Sequence, residues 1–253
     1  MGINNLLAFE FIDPPSPHFI NYPMRELYNL GALDEDGKLT EMGRLMSGFS
    51  IEPSLSKMLT FSALIGCSEE IMTIIAMLRL GNIFYRPCGK ELVADERRAH
   101  FIHPEGDHLT LLAVYNAWMA NGFSFEWCLE NFVQYRLLRK AFNVRQGLMG
   151  AMNMLGLEVA SDGENSVNIR RAIVAGLSCN AAKREQNVGY RTLVGDRPVY
   201  IHGDSALYQR QPDWVVYSDV ASIEGNDYIR EVTTIEPGWL IELAPQCFRV
   251  TNQ

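Results

Sequence analysis

His100, His103 and His108 follow one another as H-x2-H-x4-H, and Cys88 lies upstream of them. These are zinc-ligand types, and a zinc site closes on four such donors in a tetrahedron. The three histidines flank an expected helix start, however, where capping and surface roles are common. Asp34, Asp36 and Glu41 could be read as paired carboxylates, or as the opening of a calcium loop. Leu45 occupies the twelfth position counted from Asp34, where an EF-hand needs a bidentate glutamate. Nothing apolar surrounds these acids to raise a carboxyl pKa. The chain has no GxxxxGK[ST] loop, no GxGxxG after a strand, no GxSxG and no HExxH. Catalysis by these residues alone is not expected.

What remains is charge beside aromatic surface. Between Asn168 and Tyr217 the runs AIVAGL, YRTLV, VYIH and WVVY read as short strands separated by polar turns. Between the first two lies an exposed basic connection, Lys183 and Arg184, followed by Gly189, Tyr190 and Arg191. Cations take phosphates and aromatic faces take bases, so this pattern suits a single nucleic-acid strand. A hairpin with a solvated basic turn explains it as well. A second basic group, Gln134, Arg136, Arg139 and Lys140, with Arg145 and Gln146 beyond, lies on the polar face of an expected long helix. The formal net charge is −8, but it is unevenly spread. Residues 1–129 hold 9 Lys and Arg against 16 Asp and Glu, residues 130–200 hold 10 against 6, and residues 201–253 hold 3 against 8. Local potential, rather than the total, attracts phosphate.

The elements that must position these groups form a multidomain α+β chain. Residues 1–50 read as a small winged-helix unit. A break at Asp13-Pro14-Pro15-Ser16-Pro17 precedes a short helix through Met24, Leu27, Tyr28 and Leu30 that Gly31 closes. Pro23 predicts that this helix starts at Pro23 and leaves Tyr22 outside. Thr40 is the expected N-cap of EMGRLMS. Residues 51–164 read as a helical bundle: one helix around Leu55, Met58 and Leu59, a second from Ser68 to Leu80, a third from Asp107 that Gly122 stops, and a long fourth. That last helix has an apolar stripe running from Phe125 through Cys128, Phe132, Leu138 and Ala141 to Leu148 and Met152. Residues 165–253 switch to period-2 patterning, with DYIREVTTI and GWLIELAP as further strands. Five or six short strands suggest an all-β barrel, with an OB-fold first among candidates.

An apolar content of 47% and a charged content of 21% suit a folded chain with a sizeable core. No apolar run approaches the length of a membrane span, and MGINNLLAFEF lacks the basic start and cleavage site of a leader. The cysteines, Cys67, Cys88, Cys128, Cys179 and Cys247, are odd in number and scattered. They read as reduced thiols of cytosol or nucleus, each a small buried hydrophobe.

Longer strings carry a resemblance: MGINNLLAFEFIDPP, LYNLGALDEDGKLTEMGRLM, PSLSKML, GCSEEIMTIIAML, IFYRP, EGDHLTLLAVYNAW, NFVQYRLLRKAFNVRQ, NAAKR, GYRTL, VYIHGDSAL, QPDWVVY and YIREVTTIEPGWLIELAP. Together they resemble the C-terminal half of DEAH-box RNA helicases of the pre-mRNA splicing group. FYRP, VYIH, QPDWVVY and YIREVTTIEP are most similar to the branch that releases spliced mRNA, with the lariat-forming branch as the competitor. The resemblance implies a winged helix, a helical ratchet and an OB-fold stacked on two upstream RecA-like motor domains, single-stranded RNA as ligand, and a nuclear location. It also implies ATP and magnesium for the motor, with no cofactor in this chain, and a glycine-rich-patch activator docking on the winged helix. Met1-Gly2-Ile3 resembles internal family sequence. His202-Gly203-Asp204 departs from the Pro and Ser that relatives tend to carry.

Overall fold

The computed structural model describes residues 12–13, 15–163, 165–186 and 189–248. The expectations for MGINNLLAFEF, for Pro14 and for the tip of the basic connection at Asn187 and Val188 fall outside the described residues. The elements run α1 (Pro17–Asn29), α2 (Glu41–Met46), α3 (Pro53–Leu64), α4 (Ser68–Leu78), α5 (Glu91–Ala99), α6 (Asp107–Ala120), α7 (Phe125–Glu130), α8 (Tyr135–Met154) and α9 (Ser166–Leu177). A 3-10 turn at Ser178–Asn180 leads into β1 (Ala181–Glu185), β2 (Gly189–Thr192), β3 (Pro198–Ile201), β4 (Trp214–Ile223) and β5 (Asn226–Thr234), followed by α10 (Pro237–Leu243) and α11 (Pro245–Phe248).

The first unit is small. Leu30, Ala32 and Met46 form its core, and Leu33 bridges Leu39 around an acidic turn in which Asp34 Oδ1 accepts the Asp36 and Lys38 amides. Thr40 caps α2 as expected, its Oγ1 accepting the Gly43 amide at 3.0 Å. The expected start at Pro23 is corrected: α1 begins at Pro17 and carries Pro23 inside it. Proline removes one backbone donor and leaves the Phe19 carbonyl without its helical partner. Phe19 is exposed, so water can meet that carbonyl.

The bundle buries two clusters. Met58, Leu59, Ile71, Ile74 and Ile75 pack with Leu148, Met152 and Ile173, while Ala76, Met77 and Tyr115 pack around Trp118 with Leu138 and Ala141. The single long helix expected from Phe125 to Met152 is two helices, α7 and α8. Between them Phe132 takes φ +53, Val133 bridges Phe84, and Gln134 N–H donates to the Ile83 carbonyl at 2.8 Å. That pairing with a distant segment of the same chain diverts the backbone from the helix. The apolar period continues through the break, so the stripe could not reveal it.

The sheet order is β1-β2-β3-β5-β4, and β4 returns to β1, closing a barrel around Tyr190, Val199, Val215, Tyr217, Ile229 and Val232. Two expected strands are helices. AIVAGL lies in α9, where residues from Ile169 to Leu177 are buried on almost every side, so no polar face marks the helical period. Gly176 lets α9 meet α3: a Cβ there would stand 2.4 Å from the Ser54 carbonyl oxygen. GWLIELAP lies in α10, with Pro237 at the first turn and Trp239 and Leu240 buried. The first barrel strand is instead AAKRE, which puts Lys183 and Arg184 on β1 rather than in a connection. Among the described residues, no helix is long and apolar enough to cross a membrane.

Candidate nucleic-acid interface

Arg136, Arg139 and Lys140 stand at i, i+3 and i+4 on α8, which places them on one helix face. The opposite face is anchored by Leu138 and Ala141, both fully buried. All three cations are exposed, and among the described residues no carboxylate lies within ion-pair distance of them. Arg139 lies over the Phe142 ring at 5.4 Å, so its guanidinium is partly ordered and still open to solvent. Gln134 fixes the start of this face, its Nε2 donating to the Asn82 carbonyl at 2.9 Å. Arg145 has turned to the interior, donating to Thr73 Oγ1 at 2.9 Å and Glu69 at 3.0 Å. The basic face therefore ends before Arg145.

The β1–β2 register sorts the other four residues into pairs. Lys183 lies opposite Arg191, and Arg184 opposite Tyr190. Lys183 Nζ sits 5.2 Å over the Trp214 ring, giving an exposed cation on an aromatic plane. Arg191 is held by Glu185 at 2.9 Å and by Asp196 at 3.6 Å. These carboxylates push its already high pKa further up and offset its charge toward any phosphate. Arg184 Nη1 donates to the Gln211 carbonyl at 3.0 Å, and Tyr190 Oη donates to the Pro212 carbonyl at 2.6 Å. Tyr190 was expected to offer a stacking face. It lies in the barrel core at 1% exposure, where burial pushes its phenol up to about 12. The accessible aromatics of this wall include the exposed Tyr200 on β3 and the half-buried Trp214, which the pattern of the basic connection did not single out.

Where bundle meets barrel there is a groove of about 350 Å³. Asn82, Phe84 and Arg98 line one side, and His202, Asp219 and Arg230 line the other. Gln134 bonds to the loop forming the first wall, so the α8 face begins at the groove's edge. Glu231 also lines the groove, with backbone φ +53. Burial, together with the negative Asp219 and Asp107, raises its carboxyl to about 7.

The groove keeps its shape because residues 105–108 fasten the two halves. Glu105 pairs with Arg170 at 2.9 Å, and its carbonyl accepts the Thr234 amide at 3.0 Å. Gly106 bridges Thr233, and a Cβ there would stand 2.3 Å from the Val232 carbonyl oxygen. Asp107 accepts from Ser205 Oγ, the Ala206 amide and the Val232 amide at 2.7, 2.6 and 2.8 Å. His108, fully buried, contacts Thr233 Oγ1 at 2.7 Å and Ser218 Oγ at 2.8 Å. Burial drives the imidazole pKa down to about 3, so His108 is neutral. It is a core residue whose two ring nitrogens are both engaged by hydroxyls. Among the described residues, no cluster of His, Cys, Asp and Glu has metal-binding geometry.

A small helical unit, a helical bundle and a closed five-stranded barrel, in that order, are the features compared with known families. Residues 24–51 match the winged-helix helicase-associated domain, 52–111 the ratchet-like helicase-associated domain, and 169–247 the oligonucleotide/oligosaccharide-binding fold. Over all 253 residues the chain is 43% identical to the pre-mRNA-splicing factor ATP-dependent RNA helicase prp22 of Schizosaccharomyces pombe. It spans 22% of that relative's length. Together the matches identify the chain with the C-terminal, helicase-associated region of DEAH-box RNA helicases.

Proposed function

We propose that this region grips single-stranded RNA for a splicing helicase in the nucleus. The strand runs along the α8 face and past Lys183 at the barrel. The observation that carries this reading is the triad Arg136, Arg139 and Lys140, exposed on one face with no carboxylate partner among the described residues. Cations left unpaired on a rigid helix keep their full charge for phosphates. Lys183 on Trp214 adds a cation and an aromatic plane. Arg184 and Tyr190 act indirectly, holding the 211–213 segment that leads into β4. Arg191 contributes less, since Glu185 and Asp196 offset it. Stepping along RNA would need ATP and Mg²⁺ held by RecA-like domains outside these 253 residues, because the chain carries no phosphate loop.

Reversing all three α8 charges (R136E, R139E, K140E) tests the reading. Each phosphate contact steepens log Kd against log salt by about 0.7 for a single strand, so losing three flattens the slope by about 2. Anisotropy with a fluorescent oligo-U, stepped through potassium chloride, measures it on this chain and on the full-length helicase. An unaltered slope in both sinks the proposal.

A second reading has its own observation. Met24, Tyr28, Leu33 and Gly37 line a shallow cleft of about 280 Å³ rimmed by Asp34 and Glu35. An acidic rim around apolar side chains suits a basic, glycine-rich peptide of an activator. Such a peptide would bind the triple variant as tightly as the parent chain, which separates the two readings.

A further inference from the structure

Cys179 and Cys247 do not behave as the isolated buried hydrophobes that their spacing suggests. Cys179 sits on the 3-10 turn that enters the barrel and Cys247 on α11, after the barrel has ended, yet their sulfurs lie 3.1 Å apart. Both are half-buried thiols on the wall of a cleft of about 400 Å³. Tyr22, Arg25, Glu26 and Asn29 of α1 form the cleft's other side, with Val194 and Gln246 beside them. A small solute can therefore reach the pair. The other three thiols differ: Cys67 and Cys128 are buried and Cys88 is exposed, and among the described residues none of them hydrogen-bonds to another cysteine.

We propose that Cys179 and Cys247 are a two-electron oxidation site that closes to a disulfide, with a peroxide or an oxidised low-molecular-weight disulfide as the oxidant. A disulfide needs a sulfur separation near 2.05 Å, about an ångström less than the present gap. Cys179 is the attacking thiol. The hydrogen bond from the Cys247 S–H favours its thiolate and lowers its pKa to about 7, whereas the same contact and burial push Cys247 up. Arg25 and Glu26 face the pair with opposite charges. The Cys179 thiolate attacks one peroxide oxygen, the O–O bond breaks, and hydroxide leaves, taking up a proton to become water. The sulfur of Cys247 then attacks the Cys179 sulfenic acid. The S–S bond forms, the S–O bond breaks, and the departing hydroxide takes the Cys247 proton as a second water. Two thiols are oxidised and one peroxide is reduced to two waters. With glutathione disulfide, two glutathione thiols leave instead. The link joins residues 68 apart in sequence and clasps the barrel's entry to its exit beside α1.

The test uses the chain with Cys88→Ser, which removes the exposed thiol that could couple two molecules. The protein is treated with hydrogen peroxide, and separately with glutathione disulfide, then digested without reduction and mapped by mass. The expected product in both arms is one intrachain Cys179–Cys247 peptide pair lighter by two hydrogens, with a melting temperature higher by about 5 °C that dithiothreitol returns to the starting value. C179S and C247S each abolish the linked pair. Separate glutathione adducts on the two cysteines, sulfinic acids without a link, or faster oxidation of Cys67 or Cys128 would overturn the proposal.

Discussion

Gly106→Ala is expected to loosen the barrel from the bundle. Gly106 has φ +133, a conformation that side-chain-bearing residues rarely adopt. A Cβ there would stand 2.3 Å from the Val232 carbonyl oxygen and 2.7 Å from the Thr233 Cα. Both are backbone atoms of β5, and the strand cannot swing away as a flexible side chain would. The added methyl therefore strains the α6 start or displaces the strand. Displacement breaks the Asp107 bond to the Val232 amide and the His108 contact to Thr233 together. A backbone clash compounded by lost buried hydrogen bonds costs about 3–5 kcal/mol. In a chain of this length that lowers the melting temperature by about 10 °C, read by calorimetry. A variant melting within a degree or two of the parent would show that the close approach is dispensable.

His108→Phe is the second large effect, and it separates hydrogen bonding from volume. In the neutral imidazole one ring nitrogen donates and the other accepts, and the Thr233 and Ser218 hydroxyls each meet one of them. Phe fills similar space but leaves the buried Thr233 hydroxyl and the half-buried Ser218 hydroxyl short of a partner, at a cost of about 2–3 kcal/mol. The pH dependence is more specific. The folded imidazole titrates near 3 rather than 6.5, so below about 6.5 the unfolded chain binds a proton that the folded chain does not. Stability falls as the pH drops from about 6.5 toward 3, by at most about 5 kcal/mol. Glu231 works in the other direction: raised to about 7, it favours the folded chain at low pH, and that benefit is lost as pH rises from 4.5 through 7. The informative curve is the difference between parent and His108→Phe, measured by denaturant titration from pH 4 to 8. The variant's deficit should shrink steadily below pH 6.5. A constant deficit would mean that His108 is not held neutral.

Much of the architecture could be read from residue order. The Thr40 cap, the helix from Asp107, the alternation in VYIH and the β-branched and aromatic runs WVVY and DYIREVTTI each carry a local physical signal that the fold obeys. The failures also have causes. AIVAGL is buried on nearly every side, which removes the polar face that separates a helix from a strand. The break at Phe132 depends on a pairing with Phe84 far upstream, which no local window contains. Cations were easier to find than to sort. Arg136, Arg139 and Lys140 share a face because helical spacing dictates it. The carboxylates that engage Arg145 and Arg191, and the barrel interior that takes Tyr190, depend on tertiary packing. The EGDH string was conspicuous for its likeness to relatives, but only the fold reveals four consecutive residues fastening one domain to another.

Ultraviolet crosslinking of a 4-thiouridine oligo-U to the chain, with the adducted peptides mapped by mass, tests the gripping surface most directly. Adducts should fall on peptides from the first half of α8 and from the Lys183–Trp214 wall, and should disappear as salt is raised. Adducts confined to the acidic cleft around Met24 and Asp34, or spread evenly over the surface, would contradict it.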